Sequence, residues 1–368
     1  MEPARLRAML ARTPGLLAAH LFACLSDDPS PDVLVPAQLL ARLLTSHLPG
    51  RARAWLEHPH TGLIDADLRW SQADDCRILL CVDADFPAAL ARWAAAPAAL
   101  YVCGRGSPGA ATLAIVGARQ ATAGGLDTAR VFAGELARAG LSIGSGLAEG
   151  IGAAAHEGAM AAGGHTIAVC ATGVDRIYPT CHARLAARIR ACGTLISMFP
   201  PGTPARRHHF PLRNRLLGAL SAGTLVVEAA PGSGALTTVH QTRLLQKPVF
   251  AIPGSIRDPL ARGGNQLIRA GARLVQESCE ILQDLGINFN NQHATGSPAP
   301  ALQPRSGPSP LDNKYEMLLD AAGFEPVDID VLAFRTGWSG HTVASMLLLL
   351  ELQGRVAPQP GGWYCRLS

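Results

Sequence analysis

Two periodicities divide the chain. Over residues 1 to about 100, Leu6, Leu16, Leu17, Leu21, Leu39, Leu40, Leu43 and Leu44 recur at roughly helical spacing, broken by Pro31, Pro36 and Pro49. This stretch predicts helices. From about 110 to 286, short β-branched runs alternate with helical stretches. The predicted strands are Thr112–Gly117, Leu141–Gly146, His165–Cys170, Thr194–Phe199, Thr224–Glu228 and Val249–Ile252. Predicted helices fill the gaps, among them Leu126–Ala139, Arg184–Arg190 and Leu236–Leu245. Strand and helix repeating in this way imply an α/β domain with a mostly parallel, doubly wound sheet. Ligands bind such sheets beyond the carboxyl ends of the strands.

Residues 288–310, NFNNQHATGSPAPALQPRSGPSP, have the composition of a flexible linker. Beyond it, residues 311–368 predict helices over Asn313–Ala322, Asp328–Thr336 and Ser339–Gln353. The tail GRVAPQPGGWYCRL reads as a two-stranded wing. Helix, turn, helix and wing together suggest a winged helix. The greasy run Leu347–Leu350 is too short for a membrane span and fits the buried face of a helix.

Composition narrows the function less than pattern does. The 368 residues are 48% hydrophobic with a net charge of +4, enough for a large core and too balanced to signal a polyanion. Of the 32 basic residues, all but Lys247 and Lys314 are arginine, a bias that a GC-rich genome explains. Nine cysteines without a CxxC pair argue against a zinc site and against a disulfide framework, and fit reduced thiols in a cytoplasmic protein. The N-terminus lacks the apolar core of a signal peptide, and no apolar stretch of about 20 residues predicts a membrane span.

Three strand ends carry residues suited to an anion: Gly117-Ala118-Arg119, Gly144-Ser145-Gly146 ahead of a helix from about Ile151, and Pro231-Gly232-Ser233-Gly234 ahead of another. Glycine lets the backbone approach a ligand, and a helix N-terminus offers unpaired N–H groups. Each loop alone also fits a plain tight turn. Catalytic signatures are missing. There is no GxxxxGK[ST] loop, Ser145 does not sit in a G-x-S-x-G elbow, and His156-Glu157 lacks the second histidine of a metal motif. No cofactor is implied.

The segment Arg206–Arg215, RRHHFPLRNR, holds four arginines, two histidines, a phenylalanine and no acid. One reading is a solvated loop entering a helix over Leu212–Leu220, with Phe210 filling the core. The other has Arg207, Arg213 and Arg215 holding phosphates, Phe210 stacking on a base, and Asn214 bonding a base or phosphate or bracing the loop. His208 and His209 then serve as anion contacts.

Several ordered motifs carry a resemblance. AIVGAR (Ala114–Arg119), SGLAEGI (Ser145–Ile151), AHEGAM (Ala155–Met160), GGHTIAV (Gly163–Val169), GVDRIYP (Gly173–Pro179), FPLRNR (Phe210–Arg215), SGAL (Ser233–Leu236), FAIPG (Phe250–Gly254) and GGNQLIRAGA (Gly263–Ala272) resemble the DNA-processing protein DprA (Smf) family. The resemblance implies a Rossmann-like domain over residues 101–287, between an N-terminal helical domain (1–100) and a winged-helix-like domain after the linker. It implies a non-enzymatic binder of single-stranded DNA that loads RecA recombinase during natural transformation and acts as a homodimer. It assigns Arg119, Ser145, Gly146, Phe210, Arg213, Asn214 and Arg215 to the DNA site, with Arg207 as the basic residue ahead of the aromatic. Gly144, Ser233 and Gly234 join them from the strand-end loops. Three positions depart from the family pattern: Ala118 replaces a serine, Gly152 an acid and Met198 a glutamate. Losing a hydroxyl removes one potential phosphate ligand, and losing two acids is expected to leave the pocket more positive or to free an arginine once paired.

A competing reading is a Rossmann-fold nucleotide phosphoribohydrolase of the lysine-decarboxylase-like type. Its PGGxGTxxE loop ends in a catalytic glutamate, whereas Pro231–Val239 here contains none. The last 58 residues hold seven acids and four bases, and SGHTVASMLLLLE has no Lys or Arg. That favours a protein-contact or regulatory role for the C-terminal domain over base readout.

Overall fold

The computed structural model describes residues 2–25, 36–256, 258–287, 313–322 and 326–367. They form two compact units, one built on a nine-stranded sheet and one on a three-stranded sheet. The predicted linker, residues 288–310, lies outside the described residues.

The larger unit opens with five helices: α1 (Pro3–Arg12), α2 (Ala18–Leu25), α3 (Pro36–Thr45), α4 (Gly50–Glu57) and α5 (Thr61–Trp70). Strand β1 (Cys76–Leu80) follows, then β2 (Ala99–Cys103) and β3 (Thr112–Val116). From there strands and helices alternate: α6 (Ala123–Arg138), β4 (Ser142–Ser145), α7 (Ile151–Ala161), β5 (Thr166–Val169), α8 (Ala183–Cys192), β6 (Thr194–Ser197), α9 (His209–Leu220), β7 (Gly223–Val226), α10 (Leu236–Leu244), β8 (Val249–Ala251), α11 (Arg262–Arg269), β9 (Arg273–Leu274) and α12 (Ser278–Asp284). All six predicted strands are present, each within its predicted run or one residue beyond it. Every residue of β3 to β8 is buried, as strands covered on both faces must be.

The strand order is β1-β2-β6-β5-β4-β3-β7-β8-β9. Strands β3 to β9 run parallel, while β2 pairs antiparallel with both β6 and β1. The chain winds outward from β3 to β6, then returns to β7 on the other side of β3. That reversal is the topological switch point.

The N-terminal hundred residues differ from expectation. Helices occupy residues 3–70, but β1 and β2 extend the central sheet, and the helices share one core with it through Leu6, Met9, Leu10, Leu100 and Val102. Arg12 binds the buried Asp67 through Nε and Nη2 at 2.7 and 2.6 Å, and Tyr101 Oη donates to the same carboxylate at 2.8 Å. One cluster thereby ties α1 and α5 to β2. Runs as short as CRILL and ALYVC have too little periodicity to separate strand from buried helix, so β1 and β2 were not legible as strands. Their register places Cys76 opposite Cys103, with Cα atoms 4.3 Å apart, and the two form a disulfide. The expectation of nine reduced thiols fails for this pair, because a separation of 27 residues conceals adjacency that only strand pairing creates.

The smaller unit contains α13 (Asn313–Ala322), β10 (Val327–Asp328), α14 (Ile329–Thr336), α15 (Gly340–Leu352), β11 (Val356–Gln359) and β12 (Trp363–Arg366). Asp328 caps α14 by accepting from the Val331 N–H at 2.7 Å, and Ser339 caps α15 by accepting from Thr342. Strands β11 and β12 are the predicted wing, and β10 adds a third strand on the other side of β12. Leu347 and Leu350 enter the core, while Leu348 and Leu349 are 57% and 46% exposed. The greasy run therefore has one buried face and one wet one. No helix among the described residues is long and apolar enough to cross a membrane.

Candidate nucleic-acid interface

A cavity of about 300 Å³ opens at the switch point. Val116 and Gly117 reach it from the end of β3, Ser145 and Gly146 from the end of β4, and Ser233 to Thr238 from the loop after β7 and the start of α10. Helix α9 closes one side with Phe210, Arg213, Asn214 and Leu217. These four positions share one helix face, because residues three and four apart stack along an α-helix. Pro211 stands in the first turn of α9, where its missing N–H breaks no helical bond.

Arg213 is the centre of the site. It is 5% exposed, and its Nη1 donates to the carbonyls of Gly146 and Val169. Among the described residues its buried Nε has no hydrogen-bond partner, and no carboxylate lines the cavity. Burial lowers its pKa to about 10, and the charge of Arg119 pushes in the same direction, yet the group stays protonated at neutral pH. The guanidinium carbon also lies 5.8 Å from the Phe210 ring centroid. A Cβ at Gly146 would meet this guanidinium, so a larger residue there would push the Arg213 side chain from its place.

Around that buried charge stand groups free to meet a ligand. Arg119 is exposed at the cavity mouth and makes no ion pair with any described residue. The Thr238 hydroxyl lines the cavity, is buried, and has no partner. The first turns of α7 and α10 also line it through Gly152 and through Thr237 and Thr238, which sets two helix N-termini against the cavity. Two guanidiniums, an unpaired hydroxyl and two helix N-termini with no acid among them present the chemistry that suits an anion.

Eight of the eleven sequence-predicted residues meet in this cavity: Arg119, Ser145, Gly146, Phe210, Arg213, Asn214, Ser233 and Gly234. Several hold the walls together. The Ser145 hydroxyl donates to the Ile115 carbonyl at 2.8 Å, and Asn214 Nδ2 braces the Gly234 carbonyl at 2.9 Å. Gly144 does not line the cavity. It lies inside β4, where a Cβ would stand 2.8 Å from Thr112 Cγ2 and 3.1 Å from Leu217 Cδ1. Its small size serves the packing of α9 on the sheet. Arg207 is exposed in the turn before α9, outside the lining. Arg215 lies two residues past Arg213, about 200° around the helix, and lines a different groove. His209 is buried, stacked on Phe199 with centroids 4.0 Å apart and bonded to the Ala171 carbonyl, so it is no anion contact.

The departures from the family pattern also resolve. Gly152 lines the cavity, where a Cβ would approach Ser145 Oγ at 3.0 Å, so an acid's absence does affect this site. Met198 is not in the lining and faces the groove that holds Arg215. Ala118 is buried and outside the lining, with its N–H bonded to the Glu228 carbonyl at 2.6 Å.

Two groups were not foreseen from sequence. Thr238 follows the SGAL motif but carries no recognisable signature. Tyr178 is 49% exposed and packs edge-on against Phe210, with centroids 5.6 Å apart. It belongs to the GVDRIYP motif, whose aromatic was the available signal. The two rings form an aromatic ledge beside the cavity.

Residues 77–286 match the family model described as DNA recombination-mediator protein A, and residues 299–362 match the DprA winged helix domain. Protein Smf of Escherichia coli is 38% identical over 320 residues, covering 85% of this chain and 79% of that protein. The X-ray structure of DNA processing protein A from Streptococcus pneumoniae superposes with a TM-score of 0.64 at 29% identity, covering 78% of this chain and all of that one. A Helicobacter pylori DNA processing protein A, solved to describe its single-stranded DNA binding mode, gives 0.51 at 27% identity, covering 57% of this chain and 95% of that one.

Proposed function

The chain belongs to the DNA recombination-mediator protein A family, and from that premise we propose that it binds single-stranded DNA at the switch-point cavity and loads RecA recombinase onto it during natural transformation. One observation carries the DNA reading: the Arg213 guanidinium is buried without an acid, its Nε unpaired, in a cavity lined by no carboxylate. A buried charge is costly unless a counter-charge meets it, and a phosphate supplies one. The exposed Arg119 guanidinium takes a second oxygen. Phe210 and Tyr178 offer faces on which unpaired bases stack, and a duplex keeps its bases inside. A phosphate cradle beside an aromatic ledge therefore favours single strands with little sequence preference.

The same lining speaks against hydrolysis. Hydrolysis usually relies on a positioned His, Asp, Glu, Lys, Cys or Tyr to move a proton, and among the described residues none lines the cavity. We read the protein as a non-catalytic mediator, acting in the cytoplasm as a homodimer.

Fluorescence anisotropy with a labelled oligothymidylate tests the site. Arg119→Ala is expected to weaken binding by about 1.5–3 kcal/mol, roughly ten- to a hundredfold, with the fold intact because the side chain is exposed. Unchanged affinity would remove the cavity from consideration. The mediator role is tested by RecA filament assembly on strands already coated with single-strand-binding protein. Assembly no faster with the protein than without it would leave a DNA binder and no loader.

A further inference from the structure

The structure assigns a second binding site, a groove of about 520 Å³ on the other face of α9, to an acidic peptide segment of a partner protein that carries a bulky aliphatic or aromatic side chain. The groove runs between the α1–α2 connection, the segment before β2, and helices α9 and α10. Trp93, Met198, Leu212 and Leu244 give it an apolar lining. Among the described residues, Arg215 and His240 are its only ionisable side chains, and neither makes an ion pair.

Its chemistry differs from that of the anion cavity. No glycine-rich strand end lines it, and most of its surface is apolar. A phosphate chain would gain little there. Its volume falls in the range of about 300–1,000 Å³ typical of ligand sites. A small enclosed ligand, however, would leave the rim wet, because Leu244 is 64% exposed. His240 and Leu244 stand one turn apart on α10, so an extended segment lying along that helix covers both. Apolar anchoring selects a bulky side chain, and the unpaired Arg215 with no acid in the lining selects carboxylates beside it. Met198 matters here: a glutamate at that position would bring a carboxylate to the groove and repel such a segment.

The test uses the full chain and a fluorescein-labelled nonapeptide, Gly-Asp-Asp-Leu-Asp-Phe-Leu-Asp-Gly, with a sister peptide bearing Lys for each Asp. The acidic probe should bind and the basic one should not. Arg215→Ala should weaken binding about tenfold, and Leu244→Asp should abolish it. Both side chains are exposed, so both variants should keep the parent's thermal midpoint. Oligothymidylate affinity should be unchanged in Leu244→Asp. The proposal is overturned by no anisotropy change up to about 1 mM protein, by equal binding of the two peptides, or by insensitivity to both substitutions. Displacement of the peptide by oligothymidylate, together with loss of oligothymidylate affinity in Arg215→Ala, would give the groove to nucleic acid and overturn it as well.

Discussion

Arg213 and Arg119 are both arginines in the same cavity lining, and burial gives them different work. Arg213 organises the floor by holding the carbonyls of Gly146 and Val169, whereas Arg119 stands in water. Replacing Arg213 by Met would unpair those carbonyls at about 1–3 kcal/mol, while relieving a desolvated charge worth several kcal/mol. The Arg213→Met protein should therefore be at least as stable to urea without ligand, and should bind oligonucleotide more than about tenfold more weakly. A large loss of stability would mean that the charge serves folding instead of a ligand. His156 gives a pH prediction. It is fully buried against Thr166, and desolvation lowers its pKa to about 3. In the unfolded chain it protonates near 6.5, so acid favours unfolding below that value, and the stability it protects is lost progressively as pH falls toward 3. Unfolding free energy should drop by up to about 1.4 kcal/mol per pH unit from this group. Urea titrations between about pH 7 and 5 should show a shallower slope in His156→Gln.

At the scale of elements, helical phase alone divides α9 between two cavities. Phe210, Arg213 and Asn214 face the anion cavity, while Leu212 and Arg215 face the apolar groove. The basic segment stood out in the sequence, but its division between two cavities did not, since sequence spacing becomes direction only once the helix start is fixed. Here α9 begins at His209, so half of the supposed loop is helix. Gly144 fixes how closely that helix approaches the sheet. Gly144→Val should cost about 1–3 kcal/mol by overpacking against Thr112 and Leu217. Because Leu217 shares the helix with Arg213, affinity should fall too. Denaturation and anisotropy on the same protein check both, and a variant of parental stability would refute the packing account.

Across the whole molecule, the electrostatic character of binding should appear in its salt dependence. For single strands, log K falls with log salt by about 0.7 per phosphate neutralised, so Arg119→Ala should flatten the slope by about 0.7. An unchanged slope would mean that Arg119 meets no phosphate. The parallel sheet from β3 to β8 and the winged-helix elements were legible because apolar runs, helical periods and turn residues are local signals. The strand ends that line the cavity were legible because glycine and arginine mark them in the same local way. What the sequence by itself determined was thus the order of elements and the set of chemical groups near their ends. Tertiary structure decided which of those groups meet. It joined β1 and β2 to the sheet, paired Cys76 with Cys103, buried Arg213 and left Arg119 free, and sent Arg215 to another face. The physical reason is that burial and pairing depend on contacts between residues far apart in the chain, which no local pattern encodes.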